Sequence, residues 1–252
     1  MTFSELIQTK VQEKHSKAVL SVTPCWEELP QQVKEAYKSI GAGLFAFHKA
    51  LLDGVKDTAV GVLLNISAFE AYGLSGAVCL KSTIDYAKSL GLIVIADTEK
   101  SDNAKNIKAS VKAWIAPVDS TLPEDSPLRE GAFDCDAMSF AAPLSEEAVQ
   151  KITTETERYG AGVMINHKEA YTEQLMAAVQ AIGAESCGMI LEGTCKEILT
   201  TLKGQDKLIS LARPTGFENS EELKEVGAVC TLVASPKEVQ SPKAFKTFTE
   251  VI

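Results

Sequence analysis

The sequence predicts an α/β protein, a single (β/α)8 TIM barrel spanning residues 1–252. Three observations carry this reading. Short apolar runs without two-residue alternation recur along the chain, as parallel strands covered on both faces require. Each run is followed by a helical stretch, giving eight strand–helix units with right-handed crossovers. The length of 252 residues is usual for such a barrel. A doubly wound open sheet is the competing architecture. Yet no G-x-G-x-x-G follows the first run, and neither a Walker-type loop nor a G-x-S-x-G elbow is present.

An N-terminal helix over 3–16 shows apolar positions at 3, 6, 7 and 11. The first strand is 18–22, stopped by Thr23-Pro24. A long helical stretch, 31–57, is expected to break at Gly41-Ala42-Gly43. A strand at 61–64 precedes a helix at 75–90, which Gly91 stops. The strand 93–97 leads into a helix over 103–115, with Ser101 or Asp102 as its cap. Prolines and charges mark 116–133 as an exposed loop. Four more strands follow, at 136–140, 162–166, 188–191 and 208–211, and an eighth at 229–233. Their helices are read at 145–159, 169–182, 194–202, 220–226 and 242–251.

A net charge of -9 argues against a nucleic-acid partner, which needs a basic patch. No apolar run reaches membrane-spanning length, and residues 1–10 lack the apolar stretch of a signal peptide. The six cysteines are scattered without a C-x-x-C pair, which reads as reduced thiols in a cytoplasmic chain. His15, His48 and His167 lack metal-ligand spacing, so no metal site is expected. Trp26 and Trp114 are expected in the core or at a dimer interface.

The chemistry concentrates at 93–106. Four apolar residues, 93–96, end abruptly in Asp97, Glu99, Lys100 and Asp102. Charge at the carboxyl end of a parallel strand is where barrels place their reactive groups. The alternative is a solvated, capped strand-to-helix turn. Unbroken strand alternation would turn Lys100 away from Glu99.

Asn65 to Gly73, containing Phe69-Glu70-Ala71-Tyr72-Gly73, and the later Gly-Leu-Ile-Val-Ile-Ala-Asp resemble the orotidine 5'-phosphate decarboxylase family, in its longer bacterial form. Val22-Thr23-Pro24, Leu29-Pro30, Ser126-Pro127-Leu128 and Asp136-Ala137-Met138-Ser139 add to the resemblance, which fades after about Tyr159. It implies a (β/α)8 barrel, a homodimer, a phosphorylated nucleotide-like ligand and no cofactor. The family signature is D-x-K-x-x-D, joined by a lysine from the second strand. Lysines there hold the carboxylates and protonate the carbon left after CO2 departs. On this resemblance Asp97 and Asp102 take the two aspartate positions, and Lys100 an arginine position. Glu99 and Leu63 replace the two lysines. Thr23 stands for a first-strand aspartate, Asn65 follows the second-strand lysine position, and Asn106 replaces a threonine. His167, with Lys168 and Glu169, replaces the pyrimidine-contacting segment. Arg213, Thr215, Gly216 and Lys237 are left to meet a phosphate. A lone histidine such as His167 is more often a loop or core residue, and Asn106 also reads as a helix-surface amide.

Overall fold

The computed structural model describes residues 1–100, 105–115, 121–123, 126, 133–167, 171–191, 209–212 and 230–234. Its eight strands form one closed, all-parallel barrel in sequence order. They are β1 (Ala18–Val22), β2 (Ala59–Asn65), β3 (Ile93–Lys100), β4 (Ala137–Ala141), β5 (Gly162–Asn166), β6 (Cys187–Leu191), β7 (Ile209–Ala212) and β8 (Cys230–Ala234). β8 pairs back onto β1, which closes the ladder and removes both edges. The α/β barrel expected from sequence is therefore the fold, and the open sheet is excluded.

The helices are α1 (Phe3–Lys14), α2 (Gln31–Ala36), α3 (Ile40–Val55), α4 (Ile66–Glu70), α5 (Gly73–Ser89), α6 (Ile107–Trp114), α7 (Glu146–Tyr159) and α8 (Thr172–Ile182). The helices expected at 194–202, 220–226 and 242–251, and most of the loop at 116–133, lie outside the described residues. No described helix is long and apolar enough to cross a membrane.

The barrel carries two apolar layers. Alternate strand residues such as Val19, Leu63, Ile95, Met164 and Ile190 fill the lumen. The others, such as Leu20, Leu64, Val94 and Val163, meet the helices. α1 closes the amino-terminal end. Thr2 and Glu5 form a reciprocal capping box that starts this helix, and Phe3 and Ile7 from its first turns join the lumen cluster. Gly162 makes room for Phe3, because a Cβ there would lie 2.3 Å from the ring.

The expected break at Gly41-Ala42-Gly43 is a correction. The helical stretch is interrupted at Tyr37, whose backbone is extended, and both glycines lie inside α3. They serve close packing instead. A Cβ at Gly41 would sit 2.6 Å from the Ser75 carbonyl oxygen, and one at Gly43 would sit 2.7 Å from the Trp26 ring. Helix propensity argued for a break; tertiary contact with α5 and Trp26 decides otherwise. β3 also runs three residues beyond the expected end, and α4 is an additional short helix. Trp114 belongs to the core, stacked on Phe133 at 4.4 Å between ring centroids.

At the amino end of β4, Asp136 accepts the Val94 N–H at 2.8 Å and ties β3 to β4. Burial pushes its carboxyl above the usual carboxylate range, opposed by the Val94 hydrogen bond and Lys88. A raised folded pKa means that folding disfavours the charged form. The penalty is absent below the unfolded value and grows as pH rises through the folded one.

Two outcomes test this account. Gly162→Ala should lose about 1–3 kcal/mol in urea unfolding through overpacking against Phe3, and Phe3→Leu in that background should recover part of it. Asp136→Asn keeps an acceptor for Val94 and removes the charge. Its melting temperature should exceed the parent's at pH 7, with the gain vanishing near pH 3.

Candidate functional site

Register decides which polar side chains meet at the carboxyl end. Asn65 of β2 pairs with Asp97 of β3. Ser139 of β4 pairs with Met164 of β5, and Ala141 with Asn166. Asp97, Ser139 and Asn166 are buried at 4%, 0% and 4% exposure. Such depth calls for partners for their polar atoms, and Ser139 and Asn166 both donate to Asp97.

Ser139 Oγ donates to Asp97 Oδ1 at 2.7 Å and accepts the Glu99 N–H at 3.0 Å. The Ser139 carbonyl accepts from Thr98 Oγ1. Asn166 Nδ2 donates to Asp97 Oδ1 at 3.4 Å and to Glu99 Oε1 at 3.1 Å. One amide thus bridges two carboxylates. The reverse orientation would set its oxygen against both, so this assignment is the physical one. It leaves Asn166 Oδ1 buried without a hydrogen-bond partner among the described residues.

The backbone is bent to make this possible. Ala96 pairs with Met138 and Lys100 with Phe140, so β3 spends four steps where β4 spends two. The bulge falls on Asp97–Glu99. Glu99 has φ 43°, in the left-handed region that residues other than glycine rarely adopt. Bulges and backbone strain of this kind cluster at functional sites, where they re-aim a side chain. Alternation does not continue through the bulge, and the side chain of Lys100, which was expected to turn away from Glu99, lies outside the described residues.

The thirteen residues singled out in the sequence divide sharply. Asp97 and Glu99 lie in the network. Asn65 is beside it, its side chain capping α4 through the Ala68 N–H at 3.1 Å. Leu63, 1% exposed, is lumen packing below. Thr23 lines a cavity against α3 on another side of the barrel. Asn106 is an exposed residue at the start of α6. His167 is buried, with Nε2 3.0 Å from Thr172 Oγ1 and its N–H on the Ile190 carbonyl, which anchors the approach to α8. The expected cap residues Ser101 and Asp102, and the phosphate candidates Arg213, Thr215, Gly216 and Lys237, lie outside the described residues, as does the side chain of Lys100.

Sequence reasoning passed over Ser139 and Asn166. The available signal was modest: each is a polar residue at or near the carboxyl end of an apolar strand. Chemically, the network presents carboxylate and amide oxygens held rigidly by an uncharged hydroxyl and an uncharged amide. Among the described residues Glu99 makes no ion pair, and no group of histidine, cysteine or acidic residues is arranged to hold a metal.

The sequence matches no family model. It is 23% identical over 216 residues to the orotidine 5'-phosphate decarboxylase of Petrotoga mobilis, covering 85% of this chain and 70% of that protein. Against the Clostridium acetobutylicum and Clostridium perfringens enzymes it spans about half of their length. In three dimensions it is similar to the orotidine 5'-monophosphate decarboxylase of Plasmodium berghei, with a TM-score of 0.75 at 10% identity, covering 98% of this chain and 96% of that one. The Leishmania donovani OMP decarboxylase gives a TM-score of 0.72 at 16% identity, with 99% and 97% covered. In sequence this chain is similar to curated orotidine 5'-phosphate decarboxylases, and it shares the fold of solved structures bearing that name.

Proposed function

We propose that the chain is an orotidine 5'-phosphate decarboxylase-like protein in which decarboxylation is impaired or lost. Nominally it is a carboxy-lyase of de novo pyrimidine biosynthesis, acting in the cytoplasm as a homodimer on a small phosphorylated nucleotide-like ligand without a cofactor. One observation carries the reading of impairment. Leu63, standing where the resemblance calls for an active-site lysine, is 1% exposed among Val19, Ile95 and Met164. An isobutyl group packed in a dry lumen can neither hold a carboxylate nor deliver a proton.

Glu99 supports the same conclusion from the other lysine position. Its carboxylate shares an amide donor with Asp97, so two acids are brought together where the family pattern alternates charge. An anionic substrate meets added repulsion there. A preorganised field of the right sign is usually the largest catalytic contribution, and one such contact is commonly worth about 10²–10³ in rate. A non-catalytic binding role, or a changed reaction on another phosphorylated metabolite, would use the same retained barrel.

A spectrophotometric assay with orotidine 5'-phosphate should show turnover far below a decarboxylase measured beside it; turnover at the comparison enzyme's rate rejects the proposal. Leu63→Lys combined with Glu99→Lys should raise any residual turnover on the order of 10²-fold. Ser139→Ala removes a donor from Asp97 and an acceptor from Glu99 at once. It should lower unfolding stability by about 1–3 kcal/mol, measured in urea.

A further inference from the structure

Among the described residues five large apolar side chains are exposed, and four of them gather at one place. Leu74 is 82% exposed and Val78 60%, one turn apart on α5, so they share a helix face. Ile40 and Tyr37, 41% and 40% exposed, stand at the amino end of α3. Close packing joins the two pairs. A Cβ added at Gly41, beside Ile40, would lie 2.6 Å from the carbonyl oxygen of Ser75, beside Leu74. One added at Gly43 would lie 3.4 Å from the Tyr37 Cβ. Ala42, Ala71 and Ala77 are exposed as well. Exposed apolar residues scattered singly are ordinary, but a contiguous group marks a surface that another molecule covers.

The charge pattern identifies that molecule. The chain has a net charge of -9, so two copies repel each other over most of their surface. Residues 39–47 and 71–80, which build this face, include no charged side chain. Depletion of charge is the mark of an interface core. At the carboxyl side of the two stretches, Lys49 and Lys81 are already paired with Asp53 and Asp85. At the amino side stand two exposed charges of opposite sign, Lys38 before α3 and Glu70 before α5. Among the described residues neither makes an ion pair.

This arrangement is complementary to itself. α3 and α5 both start at the carboxyl end of the parallel barrel, so Lys38 and Glu70 border the same end of the face from opposite sides. A two-fold axis running along the helices lays α3 of each copy on α5 of the other. Apolar residues then meet apolar residues, and each Lys38 meets Glu70 of the partner subunit, as an isologous contact requires. We propose that the face formed by the amino ends of α3 and α5 docks a second copy of this chain across that two-fold axis. The proposal rests on the homodimer in the function proposed above and adds the surface that makes it.

Sedimentation velocity on the whole chain, over a range of protein concentrations, is the measurement. The parent should be a dimer. Leu74→Glu puts carboxylates into the contact from a position that is exposed in the single subunit. It should raise the dimer Kd at least about 100-fold with the far-ultraviolet circular dichroism unchanged. Lys38→Glu and Glu70→Lys should each raise Kd about tenfold, because each turns two rim attractions into repulsions. The two swaps combined should bring Kd back close to the parent's. A monomeric parent, with the face left for a different protein, overturns the proposal and the homodimer together. A dimer that Leu74→Glu leaves intact, or a double swap no tighter than the single ones, overturns this surface and leaves the homodimer standing on another. The turnover assay decides the decarboxylase reading separately in every case.

Discussion

Closure of the parallel ladder is the constraint on which everything else rests. Once β8 pairs with β1, every strand has two neighbours and the register around the ring is fixed. Register then sorts each side chain into lumen or outer layer, because alternation along a strand is strict until a bulge breaks it. The lumen is apolar through Leu63, Ile95 and Met164 and is stoppered at its amino end by Phe3 and Ile7 of α1. Its described polar groups gather at the opposite end, on β3, β4 and β5. The same closure that hides the backbone makes that end the place where chemistry can reach solvent.

There Asp97 and Glu99 are held together by a shared amide. Asn166 donates to both carboxylates, and its carbonyl oxygen has no partner among the described residues. An unsatisfied buried acceptor and a left-handed glutamate are both costs that a purely structural turn has no need to bear. Both fall at one strand end, above a lumen packed with Leu63, Ile95 and Met164.

The outer layer shows a different economy. α3 approaches α5 closely because Gly41 and Gly43 carry no side chains, and that approach buries His48 against Cys79, Thr83 and Phe69. The result is a histidine held neutral at depth, with Nδ1 within reach of both Thr83 Oγ1 and Cys79 Sγ.

What the sequence by itself determined was the period of its elements and the chemistry of its strand ends. Apolar runs of strand length, each followed by a helical stretch, sufficed for eight units and hence for a barrel, because hydrophobic periodicity is a local property. Asp97 and Glu99 were legible for the same reason: charge after a buried strand is local too. The partners of those carboxylates were not. Ser139 and Asn166 lie about 40 and 67–69 residues away along the chain, and only strand register brings them within hydrogen-bond distance. Gly41 and Gly43 misled for a matching reason, since propensity reads them as a break while Ser75 and Trp26, contacts that only folding creates, read them as space. Likewise His167 and Thr23 were singled out by resemblance and strand position, and tertiary packing set one beside α8 and the other on a cavity against α3. Local pattern set the elements; long-range register and packing set which atoms meet.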